Sequence, residues 1–294
     1  MILDNRLLRS ALYVPASQEK VMEKAPTLGA DVLIFDLEDS VPPHGKAEAR
    51  LQAQKKLGQC PEEAFWTVRI NSLETNLWQE DITTIFPGHP GSVVVPKIDR
   101  VESLAPLDDW LGELEKAEGK GVVTPIWAMI ESPLGVLNAF AIASHPRVSC
   151  LVLGTSDLTS ALGVPVLVER DHFSLALQQT VLAARAAGVP VIDGVFVDLK
   201  DAAGFERQCR EGARLGFDGK TVIHPSQISP ANQLFLPSDI EVSKAEKILS
   251  SWRLAHSRGE EICVVDGQLV ERLHARRAID ILRRVGRISE DSTV

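Results

Sequence analysis

Short runs rich in β-branched residues trade places with amphipathic stretches of roughly 12–18 residues along most of the chain. The strand-like runs are Ser10–Ala16, Asp31–Glu38, Phe65–Ile70, Ser92–Lys97, Pro125–Ile130, Cys150–Leu153, Val189–Val195 and Gly219–Ile223. Helical periodicity fills the intervals at Gln18–Leu28, Lys46–Leu57, Leu77–Phe86, Glu102–Ala117, Leu134–Ser144, Phe173–Ala187 and Ala202–Leu215, several of them closed by glycine. The strand runs are continuously apolar rather than alternating, which suits a parallel sheet covered by helices. Eight such strands in about 225 residues predict a (β/α)8 barrel, the TIM barrel architecture. Past residue 236 the rhythm changes. Ser238–Arg258 reads as a long helix, Ile262–Val270 as a hairpin around Asp266-Gly267, and Arg272–Val285 as another helix, with Ile288–Val294 frayed. The expected organisation is a catalytic α/β barrel over residues 1–236 and a C-terminal helical and hairpin appendage over residues 237–294.

Composition removes several classes of function. A net charge of −9 argues against nucleic acid as the main partner, although local basic residues can still receive an anionic ligand. No apolar run reaches the roughly 18 residues that span a bilayer, and Met1–Ser10 lacks the apolar stretch of a signal peptide. A cytoplasmic protein without membrane contact is expected. Cys60, Cys150, Cys209 and Cys263 are scattered without metal-type spacing, so four free thiols are expected.

In a barrel, the C-terminal ends of the strands face the substrate. Glu131 follows the fifth strand and Asp157 follows the sixth. Two carboxylates converging there suit a hard divalent cation such as Mg²⁺, which takes oxygen ligands and keeps positions open for substrate. The alternative for each is a cap on the helix that follows. Gly154-Thr155-Ser156, just before Asp157, can bring backbone N–H groups against an anion. Arg69 ends the third strand, where an unpaired guanidinium is costly. It serves either a substrate carboxylate, thioester carbonyl or enolate, or an ion pair with Glu38 or Glu131. In Asp36-Leu-Glu-Asp39, alternation points Asp36 and Glu38 to one face, making Glu38 a candidate to hold Arg69 or metal-bound water. Lys97 ends the fourth strand, placed for a phosphate or carboxylate or simply for solvent. His224 ends the eighth, either catalytic or structural. There is no nucleophile elbow, P-loop, dinucleotide fingerprint or His-x-x-x-His pair.

The chain resembles the citrate lyase β-subunit family and its relatives, the malyl-CoA and citramalyl-CoA lyases. The resemblance rests on Arg9-Ser-Ala-Leu-Tyr-Val-Pro15, Gly29-Ala-Asp-Val-Leu-Ile-Phe-Asp-Leu-Glu-Asp-Ser-Val41, Thr67-Val-Arg-Ile-Asn71 and Val95-Pro-Lys97. It continues through Ile130-Glu-Ser132, Leu153-Gly-Thr-Ser-Asp-Leu158, Gly216-Phe-Asp-Gly-Lys-Thr-Val-Ile-His-Pro225 and Asp266-Gly-Gln-Leu-Val270, so that it runs from about Arg9 to Arg284. It implies Mg²⁺ held by Glu131 and Asp157, with Arg69 against substrate and enolate and Glu38 supporting the metal's water shell. The implied reaction is carbon–carbon cleavage of a 3-hydroxy-3-carboxyacyl thioester, or the reverse condensation. In these lyases an aspartate on the appendage of a neighbouring subunit is the proton donor. Glu271 stands where that aspartate aligns, one methylene longer, and the alternative is that it caps the following helix. A shared site further implies a homo-oligomer, a trimer or hexamer. Coenzyme A implies a basic mouth, with Arg9, Lys20, Lys24 and Lys97 as candidates. Four activities remain open. They are a stand-alone acyl-CoA lyase, the β-subunit of a complex acting on citryl-acyl carrier protein, a thioesterase on the same site, and a barrel that binds without catalysing.

Overall fold

The computed structural model describes residues 6–119, 121, 123–165 and 169–289. The fraying expected of Ile288–Val294 lies, from Glu290 on, outside the described residues, as do Lys120 of the expected turn after the fourth helix and the first five residues. Contacts divide the chain into two compact units, one running Leu8–Phe235 and the other holding everything from Leu236 onward.

In the first unit each strand feeds a helix. β1 (Ser10–Pro15) precedes α1 (Glu19–Lys24), β2 (Val32–Asp36) precedes α2 (Lys46–Leu57), and β3 (Trp66–Arg69) precedes α3 (Trp78–Ile85). β4 (Val93–Val95) precedes α4 (Ala105–Glu118), and β5 (Ile126–Ile130) precedes α5 (Pro133–Ala143). β6 (Val148–Leu153) is followed by α6 (Thr155–Leu162) and α7 (Ser174–Ala187), β7 (Val191–Asp193) by α8 (Ala202–Leu215), and β8 (Gly219–Val222) by α9 (Ile228–Leu234). The eight strands pair in parallel, in sequence order, and form a closed barrel. Closure is made by Ser10, Ala11 and Leu12 of β1 against Lys220, Thr221 and Val222 of β8. It requires glycine at 219, because a Cβ there would lie 1.8 Å from the Leu8 carbonyl oxygen.

Strand alternation divides the core into two layers. Leu12, Val14, Leu33 and Phe35 cluster with Met22, Ala49 and Ala53 of the helices, and this shell is fully buried. The alternate residues, among them Tyr13, Ile34, Asp36, Thr67, Arg69 and Met129, turn into the barrel. Toward the C-terminal ends of the strands this inner layer becomes polar.

Several features depart from expectation, among them β2, which ends at Asp36 rather than Glu38, and β4, which is Val93–Val95 rather than Ser92–Lys97. β7 is Val191–Asp193 rather than Val189–Val195, since its neighbours pair with it only at Val191, Ile192 and Asp193. α6 and α9 had no periodic signal of their own, being eight and seven residues long. Asp193 of β7 is buried on the helix-facing side. Arg170 Nη1 reaches its Oδ1 at 2.7 Å and Lys220 Nζ its Oδ2 at 2.9 Å. Burial pushes the Asp193 carboxyl up, but the two cations outweigh it and hold it below its ordinary value. Arg170 Nε also meets Glu211 of α8 at 2.9 Å, tying β7, β8, α8 and the segment before α7 together.

The second unit contains α10 (Asp239–His256), β9 (Ile262–Val265), β10 (Gln268–Glu271) and α11 (Arg272–Arg284). Ser238 and Glu241 form a capping box that starts α10. β9 and β10 are antiparallel, and the Asp266-Gly267 turn has φ of 48° and 77°, the paired positive angles that a tight right-twisted hairpin needs. Val242, Ala245 and Leu249 of α10 bury against Ala278, Ile279 and Leu282 of α11. The four cysteines are free, and among the described residues no helix is long and apolar enough to cross a membrane.

Candidate active site

Asp36 and Arg69 occupy the same rung of the β2–β3 ladder, so the end of one strand delivers a carboxylate directly to the guanidinium ending the next. Arg69 Nε donates to Asp36 Oδ1 at 2.7 Å and Nη2 to Oδ2 at 2.8 Å, a bidentate fork. Asp36 also accepts the backbone N–H of Glu38 at 3.0 Å and of Ser40 at 3.1 Å. Burial pushes Asp36 up, but the hydrogen bonds and charge of Arg69 overcome it, and the carboxyl lies below its ordinary value. Arg69 Nη1 stands 3.0 Å from Glu38 Oε2 and 3.4 Å from Asp39 Oδ2. Beneath it, the guanidinium carbon sits 4.7 Å from the centre of the Tyr13 ring. Burial works against the Arg69 charge, but Tyr13, Asp36 and Glu38 outweigh it and hold the guanidinium well above its ordinary value, a fixed and charged group.

Glu38 is buried, and burial raises its carboxyl above the ordinary value against the pull of Arg69. Its Oε1 makes no hydrogen bond, and Lys97 Nζ is 3.4 Å from it. Lys97 adopts a left-handed backbone at φ 58°, a conformation that costs a side-chain-bearing residue about 1 kcal/mol or more. It directs the Lys97 N–H at Glu131 Oε1, 2.6 Å away.

Glu131 is buried just past β5. Burial first, then the negative charges of Asp157 and Glu38, push its carboxyl up to about 7. It does not cap α5, because Ser132 does so by accepting the Gly135 N–H at 2.9 Å. Gly154 is required beside it, since a Cβ there would fall 2.3 Å from Glu131 Oε2. Asp157 lies in the first turn of α6 and is exposed. Thr155 and Ser156 share that turn, whose leading N–H groups have no partner within the helix.

These acids fit a hard cation. One buried carboxylate oxygen has no hydrogen bond, and a second carboxyl is raised by burial and then by its acidic neighbours, a cost that a cation bound between them would relieve. The described residues hold no group of three or more metal-type side chains. A cation here would rest on one or two carboxylates, as Mg²⁺ can, with water and substrate oxygens filling the rest of its octahedron.

The strand ends thus bring together Glu38, Arg69, Lys97, Glu131 and the turn Gly154–Asp157. Arg9 stands apart from them. It precedes β1, at the opposite end of the strands, where Asp31 binds its guanidinium at 2.7 and 2.8 Å. Lys20 and Lys24 lie on α1, exposed. His224 is exposed and bonds locally to Ser226, at 2.8 Å through the hydroxyl. Glu271 ends β10 at the N-cap position of α11, its N–H donating to His274 Nδ1 at 3.0 Å. Sequence reasoning named Glu38 or Glu131 as Arg69's ion-pair partner. Glu38 is one, but Asp36 is the principal one, and Tyr13 beneath the guanidinium was missed. The available signal was that Tyr13 is the chain's one tyrosine and lies on the inward phase of β1.

A family model described as HpcH/HpaI aldolase/citrate lyase matches residues 9–225. A (3S)-malyl-CoA thioesterase of Cereibacter sphaeroides is 36% identical over 282 residues, spanning 96% of this chain and 95% of that protein. An L-malyl-CoA/beta-methylmalyl-CoA lyase of the same species is 31% identical over 303 residues, with the same coverages of 96% and 95%. Among solved structures, protein CitE from Mycobacterium tuberculosis, in complex with magnesium, acetoacetate and coenzyme A, matches with a TM-score of 0.76 at 27% identity, covering 96% of this chain and 99% of that one.

Proposed function

We propose, from the premise that this chain belongs to the HpcH/HpaI aldolase/citrate lyase family, that it is a Mg²⁺-dependent carbon–carbon lyase. It cleaves, or in reverse forms, a 3-hydroxy-3-carboxyacyl-CoA thioester such as citramalyl-CoA or malyl-CoA. The products are an acyl-CoA and pyruvate or glyoxylate. The observation that carries this reading is the meeting, at one rim of the barrel, of the raised Glu131 carboxyl, Asp157 and the rigidly held Arg69.

Glu131 and Asp157 would hold the metal, with Glu38 oriented toward its water shell. Bound there, a divalent cation supplies Lewis acidity toward the substrate's hydroxyl and carboxylate oxygens. The N–H groups of Thr155 and Ser156, at the positive end of α6, would meet the keto-acid carboxylate, while the Gly154 N–H is held by the Ile130 carbonyl at 2.9 Å. Lys97 adds an ammonium close to Glu38. As the carbon–carbon bond breaks, charge moves onto the thioester oxygen. Arg69, pinned by Asp36 and stacked on Tyr13, meets that charge without reorganising, an effect worth about 3–4 kcal/mol per donor. The enolate carbon must then take a proton, for which Glu271 of a neighbouring copy is our candidate, and this requires a homo-oligomer.

A second reading, thioester hydrolysis, is favoured by the higher identity to the thioesterase, 36% against 31% for the lyase. One experiment separates them. Purified protein with Mg²⁺ is given malyl-, methylmalyl- and citramalyl-CoA, alongside Glu131→Ala and Asp157→Ala, and products are resolved by mass spectrometry. A keto acid plus acyl-CoA, lost in both variants, is the expected result. Free CoA with the acyl skeleton intact would replace the lyase by the hydrolase, and absence of turnover on any CoA ester would count against both.

A further inference from the structure

The proposed reaction leaves open which group the keto carbon carries, and a cavity beside the metal-bearing turn bears on it. The cavity is about 300 Å³, at the lower end of the range for small-molecule pockets. A water's share of liquid volume is about 30 Å³, so the space admits a substituent of several heavy atoms. It lies where β6 and β7 end and shares Thr155 and Ser156 with the turn that carries Asp157. The side chain of Thr155 is fixed toward it, donating to the Val195 carbonyl at 3.3 Å, and Gly194 leaves room for it, since a Cβ at 194 would fall 2.4 Å from its Oγ1. Thr155 and Ser156 thus belong both to the turn proposed to meet the keto-acid carboxylate and to the cavity wall, which puts the cavity within reach of a short 2-oxo acid held there.

The walls state the chemistry. Phe173, Val195, Phe196 and Val197 are apolar, and Thr159, its hydroxyl bound to the Thr155 carbonyl at 2.6 Å, lies on the α6 wall. Among the described residues lining it the cation is Arg170, which is neutralised by Asp193 at 2.7 Å and Glu211 at 2.9 Å, and Asp198 adds negative charge. A second carboxylate would therefore meet no free positive charge, whereas a branched alkyl group would bury apolar surface.

We infer that this cavity is the specificity pocket for the keto-acid half, selecting 2-oxo acids with an apolar substituent larger than hydrogen over both glyoxylate and dicarboxylic keto acids. The inference rests on the lyase reading for the identity of the ligand, but its test does not need turnover. Mg²⁺-loaded protein is titrated calorimetrically with glyoxylate, pyruvate, 2-oxobutyrate, 2-oxoisovalerate and oxaloacetate. Affinity is expected to rise along the apolar series, by about tenfold or more from first to last, the size of discrimination a hydrophobic pocket supplies. Oxaloacetate is expected to gain nothing over pyruvate. Thr159→Leu and Val197→Phe, which fill the space, should remove the gain and leave glyoxylate unchanged. Thr159 is buried and bonded within α6, so the exposed Val197 provides the variant that does not touch the helix. A flat or falling series in the unaltered protein, or equal losses of glyoxylate and 2-oxoisovalerate in Val197→Phe, would overturn the inference. Graded binding without thioester cleavage would sustain the pocket and remove the lyase. Cleavage without graded binding would remove the pocket alone.

Discussion

A carboxyl that titrates near 7 is a liability until a cation neutralises it, and Glu131 carries that liability. Its folded value lies above its ordinary 4.5, so between pH 4.5 and about 7 the folded chain holds a proton the unfolded chain has released. Stability from this group is therefore present below 4.5 and lost as pH rises through about 7. The melting temperature of the metal-free protein should fall across that window more steeply than that of Glu131→Gln, and equal slopes would mean that Glu131 is not perturbed. Arg69→Lys keeps the charge but gives up the planar fork that Asp36 grips. It should lower kcat by about 100-fold or more with little change in KM, as steady-state kinetics would show. Position along the strands made Glu131, Asp157 and Arg69 legible in the sequence, because a charged residue closing an apolar run is conspicuous. Asp36 was less so. It sits among three acids in four residues, and only the register between β2 and β3 reveals which one meets Arg69. Lys97's left-handed backbone had no sequence signal, since lysine rarely adopts it.

At the scale of the elements, β6 and α6 are joined by one residue that cannot be enlarged. Gly154→Ala would drive a Cβ into Glu131, and the side chain would have to leave its bond to the Lys97 N–H. The variant should still fold but lose most of the rise in melting temperature that Mg²⁺ gives the parent, readable by calorimetry with and without the metal. On the helix-facing side, Lys220→Met leaves Asp193 with Arg170 alone. It should cost about 3 kcal/mol in denaturant unfolding, with a measured loss below about 0.5 kcal/mol showing that the ion cluster contributes little. The cluster was hidden because Val-Ile-Asp and Gly-Lys-Thr-Val read as strands carrying one charged residue each. That they are neighbours, offering opposite charges across a rung, follows from the closed order of the sheet. The eight strands themselves were legible because each is a dense apolar run. α6 and α9 were not, because a helix of two turns shows no period.

For the molecule as a whole, the proposed sharing of Glu271 between copies predicts a trimer or hexamer in light scattering, and a monomer with full activity would exclude a shared proton donor. The barrel's seam has a further consequence, in the time domain. β1 lies at Ser10–Pro15 and its second neighbour at Gly219–Val222, so one of the first strands made is paired on only one side until nearly the last has been synthesised. At about 5–20 residues per second, that interval is on the order of 10–40 s. Throughout it, each nascent chain on a polysome presents the same open strand edge as the chains beside it, a surface suited to wrong association. A message truncated before the codons for β8 would make that exposure permanent. A stop before Gly219 should therefore yield insoluble protein, whatever the state of the catalytic residues already made.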